Sequence, residues 1–363
     1  MNSQKNRVFV DIHVIQSLPP SCVNRDDTGS PKTAIYGGVR RARVSSQAWK
    51  RAMREMFKEY FNESELSERT KKIVEKVADQ ICNLHNISKE EAMPLAEKII
   101  KQAGVSTKDS EAKALFFMSN KQAENLAHMA LKDPLPGKKE VQQALNEGNG
   151  VDISLFGRMV ADDPALNTDA SAQVAHAIST HKVENEYDYY TAMDDRSPED
   201  QAGAGMIGTI EFNSSTLYRY ATVAAHDLNK NLGDIDAATK AVKEFVRAFV
   251  CSMPTGKQNT FANGTPPYAV MVAFRRDQPV NLVGAFETPV KAGEGGYQRK
   301  STEMLANYTQ TVYEKFFTEP ERVFVTAIND ELSGLGDSIK FSELLTRTEE
   351  VVRSLLQEAE VQA

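Results

Sequence analysis

The chain has 363 residues and a formal net charge of −7, with 41% hydrophobic and 26% charged residues. This composition excludes a disordered chain, and the acidic balance argues against nucleic-acid binding by the whole surface while it permits a local basic groove. Three cysteines form no CxxC pair, which indicates neither a disulfide framework nor a zinc site. No run reaches the ~18 apolar residues of a membrane helix, so we expect a cytoplasmic protein without a membrane partner or cofactor.

A strand and a helix open the predicted fold. Residues 7–18 place four apolar residues on alternate positions, which predicts a strand with one buried face. After a polar loop comes a helix that Ser45 or Ser46 can cap. Its apolar residues form one stripe at the helical period from Trp49 to Tyr60.

Helical patterns dominate the middle of the chain, from about 61 to 148. The run VDISLFGRMV at 151–160 then predicts a short strand. An acid-rich segment at 184–200 and a glycine-containing segment at 202–208 follow, and we expect both to form an excursion from the core.

The last part of the chain returns to alternating strands and helices. IEFNSSTLYRYATVA predicts a strand, 236–252 a helix, YAVMVAF and RVFVTAI two strands, and the C-terminal run SELLTRTEEVVRSLLQEAE a helix. Without its insertions, this order is close to the βαββαβ order of ferredoxin-like folds. We therefore predict one α+β core from which the insertions project.

Positive charge is concentrated at the start of the first helix. Residues 40–54 contain six Lys or Arg residues and no acid. Opposite the apolar stripe lie Gln47, Lys50, Arg51, Arg54 and Lys58. Lys50, Arg54 and Lys58 are successive i+4 neighbours, which repel one another in an isolated helix. A solvated helix face is one explanation, but a track for a phosphate backbone is the better one in an acidic chain.

Other segments carry weaker signals. TGKQNT at 255–260 lacks the pattern of a phosphate-binding loop, although Lys257 could still contact a phosphate. His176 and His181 are five residues apart, too far for a helical zinc pair, and each is expected to be structural. Asp-Asp pairs at 26–27, 162–163 and 194–195 could hold Mg²⁺, but solvated loops explain them better. The rings of YDYYT, 187–191, could stack on bases or form a small satellite core.

Four motifs together resemble the CasC family, the backbone subunits of the type I-E CRISPR Cascade complex, which bind CRISPR RNA. They read PPSCVNRDD (19–27), IYGGVRRARVSSQAWKRAMR (35–54), VDISLFGRM (151–159) and HAISTH (176–181). The resemblance covers nearly the whole chain, and the helical part at 61–148 is the most divergent.

This resemblance implies a hand-shaped subunit with an α+β fold. A modified ferredoxin-like palm, of the RNA-recognition-motif (RRM) type, would carry a helical fingers insertion and a thumb excursion. The palm would comprise 1–60, 166–183 and 213–363, the fingers 61–165 and the thumb 184–212. Copies of such a subunit line up head to tail along one guide RNA and display its bases for pairing with target DNA.

The resemblance also implies site residues. Lys32, Ser45, Gln47, Lys50 and Arg54 match palm positions that touch the guide backbone, and Arg25 lies in the matching loop. Met159 matches a finger residue that packs against bases, and Tyr189, Tyr190 and Thr191 fall at the thumb tip. The charge pattern adds Arg40, Arg41 and Lys257 to this set of RNA contacts.

These features favour a non-enzymatic scaffold for guide RNA. Its partners would be target DNA, further copies of itself, the other Cascade subunits (large, small, and the 5′-end and 3′-end RNA-processing subunits) and a recruited helicase-nuclease. The alternative is a metal-dependent ribonuclease like the related type III backbone subunits, with Asp26 or Asp27 as its catalytic residue. A housekeeping RNA-binding protein that works as a monomer is a third hypothesis. We also expect the acid-rich segment, through Asp194 and Asp195, to meet a basic surface of the adjacent copy.

Overall fold

The computed structural model describes residues 6–192 and 206–361. The strands are β1 (Phe9–Ser21), β2 (Thr33–Tyr36), β3 (Val39–Val44), β4 (Ser67–Thr70), β5 (Thr107–Lys108), β6 (Glu111–Ala112), β7 (Phe116–Ser119), β8 (Ala172–Val174), β9 (Ala177–Ser179), β10 (Glu186–Ala192), β11 (Met206–Ala224), β12 (Ala269–Arg275), β13 (Arg322–Ala327) and β14 (Asp337–Ser338). The helices are α1 (Ser46–Phe57), α2 (Ile73–His85), α3 (Lys89–Gln102), α4 (Asn120–Ala130), α5 (Lys138–Asn146), α6 (Val151–Phe156), α7 (Ala225–Leu232), α8 (Ile235–Cys251), α9 (Gln258–Phe261), α10 (Gln298–Phe316) and α11 (Phe341–Val361). The chain is therefore a mixed α+β protein.

One large sheet organises these elements. Its strands run in the order β14-β13-β12-β1-β11-β9-β3-β2, and β8 and β10 also pair with β11. All pairs are antiparallel except β13 with β14. The long strand β1 lies at the centre, where it pairs with β11 on one side and with β12 on the other.

Both faces of β1 are buried, whereas the sequence pattern predicted burial of one face. The predicted apolar set, which includes Val10, Ile12 and Val14, packs into the largest core together with α1, α8 and α11. The opposite face is covered by α10 and the 3₁₀ turn Leu282–Phe286, and it carries Ile15. The alternation missed this second face because polar residues stand on it.

Those polar residues form a buried network. Asp11 accepts hydrogen bonds from the Tyr220 hydroxyl at 2.9 Å and from the Val280 N–H at 2.8 Å. Burial raises the pKa of Asp11 to about 6. Nδ1 of His13 lies 2.9 Å from the Tyr218 hydroxyl, and burial lowers the pKa of His13 to about 3. These hydrogen bonds offset part of the cost of burying Asp11 and His13, although Nε2 of His13 has no partner among the described residues.

A second core lies within residues 73–166. The apolar faces of α2, α3, α4 and α5 pack there with residues of β7. This segment corresponds to the predicted helical part of the chain, and its assignment as fingers stays a prediction.

The predicted strand at 151–160 is wrong, because residues 151–156 form helix α6. Gly150 stands at its N-cap and Gly157, with φ of +77°, ends it. Residues 151–155 are all buried. A short helix that is buried all round shows no helical periodicity, so its apolar residues read like a strand.

The other terminal elements agree with the sequence. The predicted helix at 236–252 is α8, the two late strands are β12 and β13, and the C-terminal helix is α11. In α1, Trp49, Met53 and Phe57 of the predicted stripe are fully buried. Within the two described ranges, none of the helices has both the length and the apolar character needed to cross a membrane.

Candidate nucleic-acid interface

A groove of about 1260 Å³ runs along α1 between two loops. Its first wall is the loop after β1, which contributes Arg25 and Lys32. Its floor is one face of α1 with Ser45, Gln47 and Arg51. Its second wall is the segment 251–258 with Lys257. The groove thus collects five residues that the sequence assigned to RNA binding: Arg25, Lys32, Ser45, Gln47 and Lys257.

The first wall is a folded loop that is tied to the helix. The N–H of Lys32 donates to the Asn24 carbonyl at 2.9 Å, and the Asn24 side chain accepts the Ser45 N–H at 2.9 Å. Asp26 accepts from the backbone N–H groups of Thr28 and Ser30. The side-chain bond from Thr28 is the main reason why the pKa of Asp26 lies below its usual range. Bonds within the chain therefore fix the shape of this loop.

The N-terminus of α1 faces into this groove. As predicted, Ser45 caps the helix, and its hydroxyl accepts the Ala48 N–H. No acid lies in the first turn, and the first N–H groups of a helix have no intrahelical partner. Together with the helix dipole, this end of α1 favours an anion.

The second wall packs directly on the first one. A Cβ atom at Gly256 would lie 2.3 Å from the Val23 carbonyl oxygen, so only glycine fits this contact. The next residue, Lys257, has a left-handed backbone with φ of +47°. The close approach at Gly256 thereby fixes where Lys257 stands relative to the loop after β1.

Four cations line the groove. Arg25, Lys32, Arg51 and Lys257 form no ion pair with any residue in the described part of the chain, whereas many other surface cations do. Four carboxylates also line the groove: Asp26, Asp27, Glu55 and Glu59. Glu55 is bonded to Lys58 at 2.6 Å. The one acid of α1, Glu55, lies near the C-terminus of the helix, so the anion-binding end of α1 is its N-terminus.

The cations opposite the apolar stripe of α1 divide between two flanks of the helix. Arg51 faces the groove, whereas Lys50 and Arg54 face α6. Nζ of Lys50 lies 5.5 Å from the ring centre of Phe156, and Arg54 pairs with Asp152 at 3.2 Å. Burial lowers the pKa of Lys50, which has no ion pair within the described ranges. RNA contact by Lys50 and Arg54 stays a prediction.

The assignment of Arg41 to the RNA surface is wrong, because its side chain is fully buried. Its guanidinium donates to the carbonyls of Tyr36, Ser179 and Phe286 at 2.8–3.1 Å. Arg41 therefore joins β2 and β9 to the turn that ends at Phe286. Arg40 is exposed but lies outside the groove.

Met159 lies on the surface, and its contact with bases stays a prediction. Its side chain is 86% exposed. The preceding residue, Arg158, is buried and donates to the carbonyls of Leu166, Phe117 and Leu145. This anchoring residue holds the segment in place and leaves Met159 projecting outward.

The aromatic residues of β10 divide between two faces. Adjacent residues of a strand point to opposite sides, so Tyr189 and Tyr190 cannot form one platform. Tyr190 packs over Gly208 of β11, where a Cβ atom would lie 2.3 Å from its ring. Tyr187 and Tyr189 share the other face and are 64% and 75% exposed. Thr191 is exposed as well, and Asp194 and Asp195 lie outside the described residues.

The two histidines have different surroundings. His181 is structural, as expected: its ring stacks on Tyr297 at 3.7 Å, and its nitrogens bond the Lys182 carbonyl and the Thr216 N–H. His176 is exposed and contacts Arg43. In the part of the chain that the structure describes, no three His, Cys, Asp or Glu side chains form a group that could hold a metal ion.

Arg51 lines the groove, and the sequence placed it on the cationic face of α1 without including it among the individual RNA contacts. It follows Gln47 by four residues, and residues at this spacing share one face of a helix. This signal was present, because Gln47 was already assigned to the site.

Comparisons with known proteins place the chain in a family. The family model described as CT1975-like protein matches residues 10–351. A solved chain described as "CRISPR RNA-guided surveillance complex, pre-nicking" is 33% identical, with a TM-score of 0.84, over 95% of this chain and 100% of that chain. Another, described as "CRISPR RNA-guided surveillance complex", is 29% identical with a TM-score of 0.73, over 94% and 99%. No curated protein sequence matches.

These matches agree with the sequence resemblance at the level of a Cascade-type CRISPR protein. The narrower assignments, to CasC and to type I-E, stay predictions. The chain belongs to the CT1975-like protein family and shares its fold with chains of CRISPR RNA-guided surveillance complexes.

Proposed function

We propose that this chain is a backbone subunit of a CRISPR surveillance complex. It holds guide RNA by the sugar–phosphate backbone and leaves the bases free to pair with target DNA. The observation that carries the proposal is the set of cations around the groove, at the N-terminus of α1, that form no ion pair among the described residues. Contacts to phosphate give affinity without sequence preference, which suits a protein that must accept any guide.

We further propose that the subunit is of the CasC kind, belongs to a type I-E Cascade in the cytoplasm, and is not an enzyme. Copies join head to tail, a heterologous contact that need not close into a ring. Its other partners are the remaining Cascade subunits and the helicase-nuclease that the complex recruits. The four sequence motifs support the CasC assignment, and the match to a surveillance-complex chain supports a place in such a complex.

The fold proposed for the core is a modified ferredoxin-like palm. Support comes from the antiparallel order β12-β1-β11-β9, with α1 after β1 and α8 after β11 in the chain. The helices of 61–165 are the proposed fingers, and the β10–β11 hairpin is part of the proposed thumb.

The test is co-purification of RNA with the protein, expressed together with a CRISPR array and the partner subunits. We expect RNA of one uniform, guide-sized length on a denaturing gel. Replacement of Lys32, Arg51 and Lys257 by Glu should remove it, because three phosphate contacts become repulsive.

The matched control is replacement of Lys139, Lys300 and Arg322 by Glu. These exposed residues lie outside the groove, and the change in charge is the same. RNA of random length, or equal losses in both triple variants, would contradict the proposal.

A further inference from the structure

Two cationic or polar groups lie beside the groove without a role in the function described so far. Arg43 stands on β3, and His176 stands in the turn between β8 and β9. Nη1 of Arg43 lies 3.2 Å from Nδ1 of His176, and Nε of Arg43 donates to the Thr33 carbonyl at 3.2 Å. The guanidinium is thus oriented from two sides.

This orientation leaves donors free on both side chains. A guanidinium has five N–H groups, and these two contacts use two of them. Arg43 forms no ion pair within the described residues. Because Arg43 can only donate, Nδ1 of His176 accepts, and the proton of the neutral ring is on Nε2, where it is a further donor. Burial, and then the charges of Arg43 and Lys32, lower the pKa of His176, which favours this neutral form.

The pair is continuous with the groove. The N–H of Arg43 donates to the carbonyl of Lys32 at 2.9 Å, so the two residues are neighbours across β2 and β3. Lys32 lines the groove, and a small hollow that shares Asn24 and Lys32 with the groove is also lined by Arg43. A strand held by Lys32 therefore passes close to Arg43.

We propose that Arg43 and His176 form a further phosphodiester-binding site, for the RNA strand as it leaves the groove over β3. This inference rests on the proposed function and extends its site. The planar fork of Arg43 can bind two oxygens of one phosphate, and Nε2–H of His176 adds a third donor. The site needs no counter-ion from the protein, since the phosphate supplies one.

The test measures binding of fluorescein-labelled single-stranded RNA to the full-length protein over a series of salt concentrations. Arg43→Ala should weaken binding roughly tenfold, and the slope of log K against log salt should fall by about 0.7, the value for one phosphate contact on a single strand. Arg43→Lys should restore most of the slope but less of the affinity, because it keeps the charge without the fork. His176→Ala should weaken binding by a smaller factor at an unchanged slope.

The matched control is Arg322→Ala, on β13 near the opposite edge of the sheet, and it should bind like the unchanged protein. Unchanged binding of Arg43→Ala would overturn the proposal, as would weaker binding with an unchanged slope and a lower melting temperature, which indicates a structural role. If the groove variant with three glutamates loses RNA while Arg43→Ala does not, only this further site is wrong.

Discussion

Nε of Arg54, on α1, lies 3.2 Å from a carboxylate oxygen of Asp152, in the first turn of α6. The other oxygen of Asp152 accepts the Ser67 N–H at 2.9 Å. Burial raises the pKa of Asp152, and the charge of Arg54 opposes this rise. One buried carboxylate therefore joins the cation-bearing helix to the segment that leads to Met159.

Arg54→Ala should lower the free energy of unfolding by roughly 2–3 kcal/mol at neutral pH, because it leaves a buried carboxylate without its cation. The folded-state pKa of Asp152 should then rise further. An acid with a raised folded pKa contributes stability at low pH and loses it as pH rises through that pKa, so the deficit should be smaller in acid. Urea unfolding at pH 4.5 and 7.5 measures this difference.

Arg51→Ala is the matched control for that prediction. Arg51 is exposed and has no ion pair in the described part of the chain, so its loss should change stability by less than about 0.5 kcal/mol. It should instead weaken RNA binding. Equal destabilisation by the two variants would show that the Arg54–Asp152 contact contributes nothing.

Lys50→Met should weaken RNA binding without loss of stability. Partial burial disfavours the charged ammonium and lowers its pKa, and Lys50 has no acidic partner among the described residues. The positive charge of Lys50 therefore does not stabilise the folded protein. If it contacts a phosphate, the salt slope should fall by about 0.7. Fluorescence anisotropy measures RNA binding, and thermal melting of the same preparations measures stability. A lower melting temperature with normal RNA binding would refute the prediction.

Gly256→Ala should disturb the groove by separating its two loops. The new Cβ atom would meet the Val23 carbonyl oxygen at 2.3 Å, and backbone on both sides must move. RNA affinity should fall several-fold as Lys257 shifts. Gly264→Ala is the matched control, since Gly264 lines the same groove and has open space around its Cβ position. Similar affinities for the two variants would exclude this role for Gly256.

Tyr189→Ala should reduce stacking on RNA, whereas Tyr190→Ala should mainly loosen the hairpin. Tyr189 is exposed, and Tyr190 packs over Gly208. Loss of one stacked base corresponds to about 1–3 kcal/mol of binding, which quenching of 2-aminopurine placed in the RNA can follow. Tyr189→Phe keeps the ring and should bind normally; a loss as large as that of Tyr189→Ala would exclude stacking.

His13→Phe should remove a part of the acid sensitivity. The folded pKa of His13 is about 3, below its ordinary value of 6.5, so the unfolded chain takes up a proton first and stability falls as pH drops below 6.5. Between pH 6.5 and 5 this amounts to about 2 kcal/mol. Urea unfolding at pH 7.5 and 5 should show a smaller pH effect in the variant than in the unchanged protein. An equal pH effect in the two proteins would contradict this prediction.

The sequence predicted the elements whose side chains alternate or repeat around a core. These elements include β1, α1 and α8. The position of Ser45 and Gln47 at the start of α1 also allowed the sequence to assign them to the groove. The sequence could not show that Arg40 is exposed while Arg41 is buried. The guanidinium of Arg41 binds the Phe286 carbonyl, which is 245 residues away in the chain. Nor could the sequence show that Arg54 meets Asp152, 98 residues later. A local sequence pattern predicts which face of a helix or strand is buried. The residues that contact this face are determined by the tertiary fold.

The position of β1 between β11 and β12 also determines the order in which the protein can form during synthesis. Strand β1 has both of its neighbours more than 190 residues further along the chain. The apolar residues of β1 therefore stay unpaired until β11 and β12 have been synthesised, and pairing over such sequence separations is slow. The core within 73–166 is complete much earlier, so the inserted segment can fold first while the central strand still depends on the remainder of the nascent chain.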